Sequence, residues 1–209
     1  MPERQRRRYA PRLPREQRRE QLLDAALRVL SNCQLHELSM EAVAEAAGVG
    51  KPLLYTVFHT RAELVTTLLT REHQQAMEQV RAAIPHDLSV AGPTRAYTAT
   101  VSAFLNSVLD NPTRWRLVLT VPDSAPRDYR SALRNARSVI INQVEGLAKA
   151  GLALDPRLTR LDPILVGHTM LSFAEMLGRL AVNDPESYPR ERLEQYANTA
   201  MTMFTGLPD

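Results

Sequence analysis

The chain has 209 residues, a formal net charge of +3, and 44% hydrophobic but only 5% aromatic residues; that suits one large or two modest globular domains. No apolar run approaches the roughly 20 residues of a membrane span, and the charged N-terminus lacks the apolar stretch of a secretory signal. The one cysteine, Cys33, excludes an intrachain disulfide, so the expected setting is a reducing cytoplasm.

Charge is unevenly placed. Residues 1–20 hold eight Arg and three Glu, a local charge of +5 that leaves −2 for the remainder. The segment 1–14, "MPERQRRRYAPRLP", has three prolines and no apolar periodicity. It reads as a basic, flexible arm that is either simply solvated or attracted to a polyanion.

After Pro14, Leu22, Leu23, Ala26, Leu27 and Leu30 recur at helical spacing and predict a helix over 15–32. Ser39 is a good N-cap for a short helix to Ala47, which Gly48 terminates. A second short helix is expected over 50–58, with Pro52 tolerated in its first turn. A longer one follows over 61–84. Further helices are expected at 93–110, 112–120, 126–150, 162–183 and 189–205, bounded by "DNP", "VPDSAP", "GLALDP" and "NDPESYP". No strand-like alternation and no internal repeat is present. Ala and Leu are abundant, and both favour helix. The expected fold is all-α.

The pair of short helices, 39–58, with its Gly-containing turn and a supporting first helix, makes a helix-turn-helix unit. Leu54 and Val57 face back into it, and Phe58 closes its core. Lys51, Pro52, Leu53, Tyr55 and Thr56 are left on or near the outside. A segment of this size fits a B-DNA major groove, about 12 Å wide.

These residues resemble a known family. "LLDAALRVLSN", "LSMEAVAEAAGVGKPLLYTVFHTRAEL" and their spacing are similar to the DNA-binding domain of the TetR family of bacterial transcriptional regulators, over roughly Arg18 to Leu69. The resemblance implies an N-terminal three-helix DNA-binding domain, 15–60, and a larger helical ligand-binding and dimerisation domain, 61–209. It places Lys51, Pro52 and Leu53 near base edges. It places Tyr55, His59 and Arg61 near phosphates, and Ser39 at a helix N-terminus able to hold one. Thr56 stands where the family often has Arg, Leu53 where Thr is commoner, and Gly50 where Ser is commoner. The reading helix therefore has little hydrogen-bonding capacity, and base discrimination is expected to be modest. The arm is expected to add contacts along the backbone or in the flanking minor groove.

A symmetric reader of DNA needs a partner copy, so a homodimer on a palindromic operator is implied. On the helix 162–183, Gly167, Ala174, Gly178 and Ala181 form a small-residue stripe. The last helix offers Leu193, Ala197, Ala200, Met201 and Phe204. These two sets are the expected dimer interface, the alternative being packing within one chain. Tyr97, Phe104, Trp115, Leu119, Tyr129 and Ile140, joined by Phe173, Met176 and Leu180, are the expected walls of a cavity for a mainly apolar small molecule. His168, Asn106 or Tyr129 would supply its polar contacts; a filled core is the alternative.

No catalytic constellation is present. The five histidines (36, 59, 73, 86, 168) form no metal-ligand pair, and no phosphate-cradling or nucleophile-elbow motif occurs. No metal, cofactor or membrane partner is expected. The competing function is a helical adaptor that binds proteins and polyanions without DNA sequence specificity.

Overall fold

The structure, a computed structural model, describes residues 13–84, 92–154 and 160–205, with side chains described to residue 200. The arm's "RQRRR" lies outside the described residues. The described residues hold nine α-helices and no strand: α1 (Arg15–Leu30), α2 (Met40–Ala46), α3 (Lys51–Val57), α4 (Arg61–Ala83), α5 (Pro93–Asp110), α6 (Pro112–Leu119), α7 (Arg127–Leu154), α8 (Pro163–Asn183) and α9 (Arg190–Thr205). Proline stands at or next to the first position of α3, α5, α6 and α8, where no intrahelical N–H bond is lost. None of these helices is long and apolar enough to cross a membrane. The expected end of α7 was 150, but the helix runs through Gly151 to Leu154. Gly151 is buried, so packing offsets the roughly 1 kcal/mol helix penalty of glycine.

The chain divides into two compact units, 1–70 and 71–209. The boundary falls ten residues beyond the expected 60/61 because the first turns of α4 belong to the first core. Leu64, Leu68 and Leu69 are fully buried, and Val65 nearly so, with Leu22, Leu23, Leu54 and Phe58. Arg19 lies 5.3 Å from the Phe58 ring centroid, a cation–π contact over the aromatic face.

In the second unit α7 and α8 pack along one another, and α8 also meets α5 and α6. Its core joins Val101, Leu105, Val108, Trp115, Leu177, Ala181, Leu193 and Ala197. Glu72 is fully buried at the edge of this unit and is matched by Arg71 and Arg114, both at 2.7 Å. Arg114 also donates to Gln75 Oε1 at 2.5 Å, which ties α6 to the second half of α4. A carboxylate so deep is tolerated only with partners of this kind.

Candidate nucleic-acid interface and ligand cavity

The turn between α2 and α3 is set by one glycine. Gly48 adopts φ 66°, the left-handed conformation. The Gly48 N–H then donates to Glu45 O at 3.0 Å and the Val49 N–H to Ala44 O at 3.0 Å. That pair of bonds is the Schellman closure, and it reverses the chain within three residues. The last carbonyls of α2 are also held from α1, by Gln21 Nε2 on Ala47 O (3.1 Å) and Arg28 Nη2 on Ala46 O (3.0 Å). Ser39 Oγ accepts from the Ala42 N–H at 3.1 Å and starts the same helix. Its hydroxyl proton is left as a donor.

With the turn so held, α3 buries Leu54 and Val57, three residues apart on one face. Phe58 is also fully buried. Lys51, Pro52, Leu53, Tyr55 and Thr56 are exposed, Leu53 by 37% and Tyr55 by 44%. The Thr56 hydroxyl donates to Leu53 O at 2.6 Å, so it caps its own helix. His59 is exposed, and its N–H donates to Glu63 Oε2 at 2.8 Å at the start of α4.

Two of the expected DNA-contacting side chains already have partners within the chain. Lys51 is not a free cation: its Nζ lies 2.6 Å from Glu41 Oε1 on α2. Arg61 is exposed, but its guanidinium is engaged. Its Nε donates to Leu38 O at 2.6 Å, and its Nη2 to Leu35 O (2.6 Å) and His36 O (3.2 Å). Arg61 thus clamps the carbonyls of the connection before α2, a job its rigid fork suits. Both pairings are long-range in sequence, and helix periodicity carries no signal for them.

Within the second unit lies a cavity of about 820 Å³, toward the upper end of the range for small-molecule sites. Tyr97, Phe104, Trp115, Leu119, Ile140 and Phe173 line it as expected. Tyr129 and His168 do not. Tyr129 is buried in packing and donates from its hydroxyl to Leu117 O at 3.2 Å. His168 stands on the outer side of α8, 3.3 Å from Glu145. Asn106, also named as a polar contact, instead accepts from Arg190 at 2.6 Å. Tyr97 lines the wall while donating to Met170 O at 2.8 Å. Its burial pushes its phenol well above the usual value.

Thr94, Thr100 and Thr169, with His73 and Asp162, give the cavity some polar lining, but most of the charge comes from α7. Arg130, Arg134 and Arg137 border the cavity, as do Glu175 and Arg179 of α8. The signal was available in "RDYRSALRNAR", where the last three arginines follow at i, i+4 and i+7 and so share one helix face. Periodicity alone does not distinguish such a stripe from the usual solvated face of a helix.

The expected dimer stripe is turned inward. A Cβ on Gly178 would meet Leu119 Cδ1 at 2.8 Å and the Phe104 ring at 2.9 Å. A Cβ on Gly167 would meet the Glu145 backbone at 3.1 Å. Small residues here let α8 approach its own neighbours. Ala174 packs on the same core, and Ala181, Leu193 and Ala197 are buried in it. The side chains of Met201 and Phe204 lie outside the described residues. What α8 shows outward is Ile164, Leu165 and Met176, with Tyr196 of α9 also exposed.

Comparison with known proteins matches this arrangement. Residues 22–68 fit the family model of the bacterial regulatory proteins of the tetR family. Over that segment the chain resembles the DNA-binding part of the TetR family. Its match to the HTH-type transcriptional activator FasR of Mycolicibacterium smegmatis is 34% identical over 107 residues, 51% of this chain and 48% of that one. It thus spans about half the length of that relative. The chain also superposes on a TetR-like regulator from Rhodococcus sp. RHA1 (TM-score 0.72, 21% identity, 94% of this chain and 100% of the other). FadR from Bacillus subtilis, solved in complex with stearoyl-CoA, superposes with a TM-score of 0.64 at 15% identity over 87% of this chain and 96% of the other. At these identities the two likenesses are of fold. The TetR family is one of regulators, not enzymes.

Proposed function

We propose that this protein is a sequence-specific DNA-binding transcriptional regulator, acting as a homodimer, whose operator affinity is set by a mainly apolar ligand in the second unit. The carrying observation is the exposure of Lys51, Pro52 and Leu53 at the head of α3 while Leu54, Val57 and Phe58 fill the core behind it. An adaptor has no need of apolar residues held outward on so short a helix. In the proposed complex Lys51 reaches guanine acceptors, and Pro52 and Leu53 touch thymine methyls. Ser39, Tyr55 and His59 take phosphates. Two copies read half-sites about 34–36 Å apart. Since the small-residue stripe is inward, the proposed interface is the outward face of α8 and α9 that bears Ile164, Leu165, Met176 and Tyr196.

The size and apolar walls of the cavity support the ligand. So does the fold shared with a protein solved with stearoyl-CoA. The working reading is a repressor released by that ligand. A second reading, an activator, is favoured by the FasR relative, which is named as one. Gel-shift titration against the DNA upstream of the chain's own gene tests the core claim. Retardation that survives excess unrelated duplex supports it. Uniform weak binding to any polyanion overturns it in favour of an adaptor. A promoter reporter then gives the sign of regulation.

A further inference from the structure

Apart from His73 and Asp162, the N-cap of α8, the cavity's charged lining is gathered on one stretch of α7 and the part of α8 beside it. Along α7 its charged lining is confined to Arg130, Arg134 and Arg137; past residue 137 the α7 lining is wholly apolar, from Ile140 to Leu152. α8 completes the charged end with Glu175 and Arg179. Glu175 is already engaged, bound by Arg137 through both carboxylate oxygens at 2.8 and 3.3 Å and lying 3.9 Å from Arg179. Arg130 and Arg134 have no carboxylate among the described residues. Arg130 donates to Asp123 O at 3.1 Å, and Arg134 to Ser131 Oγ at 2.9 Å. Like charges four apart on a helix repel, and here nothing in the described chain offsets them.

The geometry points to an amphiphile as the ligand: a long apolar chain along the α7–α8 wall, with an anionic head, carboxylate or phosphate, bound by Arg130 and Arg134. This rests on the ligand-binding reading proposed above and narrows it. A neutral apolar molecule would fill the walls but leave the two guanidiniums, one turn apart on α7, without a counter-ion among the described residues. An anion accepts from both, and charge-assisted bonds of this kind are the strong ones. Arg134 is exposed, so the head sits at the rim and the chain enters behind it.

The single tryptophan, Trp115, lines the cavity and supplies the readout. Its fluorescence is followed while the full-length protein is titrated with hexadecanol, hexadecanoate and hexadecyl phosphate. The anions are expected to bind about tenfold or more tighter than the alcohol, a difference that shrinks as salt is added. Whichever anion is preferred identifies the head as carboxylate or phosphate. The double variant R130Q/R134Q should lose the preference, its affinities for the anions falling to that for the alcohol. If that variant fails to fold, the salt dependence of the wild-type ratio decides alone. Equal affinity for alcohol and anions, or a preference indifferent to salt, overturns the amphiphile while leaving an apolar effector standing. No binding of any of the three overturns both.

Discussion

Lys51 at the head of α3 is bound to Glu41 in α2, Nζ to Oε1 at 2.6 Å, with both side chains more than half exposed. The cation proposed to read DNA is thus already paired. The hydrogen bond from Lys51 holds the Glu41 carboxyl below its usual range. A phosphate or guanine must compete with this carboxylate, which also repels the backbone. Glu41→Gln is therefore expected to tighten DNA binding roughly two- to fivefold, the span of one exposed pair. Lys51→Ala should weaken it and lower the salt slope by about one. Gel shifts at several salt concentrations check both, and an unchanged affinity in Glu41→Gln would show that the pair has no influence on the bound state.

Arg61 is expected to matter for stability more than for DNA. Its replacement by Ala frees the carbonyls of Leu35, His36 and Leu38. Hydrogen bonds from a charged donor put the loss at about 2–3 kcal/mol. Arg61→Lys should recover little, since an ammonium cannot span the same carbonyls. Chemical denaturation measures this. A wild-type melting curve with lost DNA binding would return Arg61 to the phosphate-contact role.

Gly178→Ala separates the inward from the outward reading of the α8 stripe. Alanine gains about 1 kcal/mol of helix propensity, but its methyl must displace Leu119 and Phe104, an overpacking that costs about 1–3 kcal/mol. Both neighbours line the cavity and give way into it. The expected result is a net loss of up to about 2 kcal/mol with weaker ligand binding and an unaltered dimer. Sedimentation together with thermal melting checks it, and a monomeric but equally stable variant would place the stripe at a subunit interface.

His73 makes stability depend on pH. Its Nε2 is buried with no hydrogen-bond partner among the described residues, and burial, then the charge of Arg81, pushes its pKa below the usual 6.5. The folded protein therefore takes up this proton later than the unfolded chain. The contribution is fully present above about pH 6.5 and is lost as pH falls from there through the lower folded value. Unfolding midpoints should drop over that interval in the wild type and less steeply in His73→Phe. Parallel curves for the two proteins would clear His73 of the effect.

The helices and the turn between α2 and α3 were legible along the chain because their causes are local. Apolar spacing, prolines in first turns, Ser39 and Gly48 act within one or two turns, and Leu54, Val57 and Phe58 declare their inward face by spacing alone. Much of the apolar cavity wall was visible too, since bulky residues such as Phe104, Trp115 and Phe173 mark it by size. Periodicity could say that Gly167 and Gly178 share a face of α8, but not what that face meets. Only the packing of α8 against Glu145, Leu119 and Phe104 turned it inward. Likewise the partners of Lys51 and Arg61 lie 10 to 26 residues away. The contrast between Arg137, held by Glu175, and the uncompensated Arg130 and Arg134 also depends on a neighbouring helix. Local sequence determines which elements form and which side of each is apolar. Which charge is matched, and which small residue is covered, is decided by what folding brings alongside, because those energies act through space.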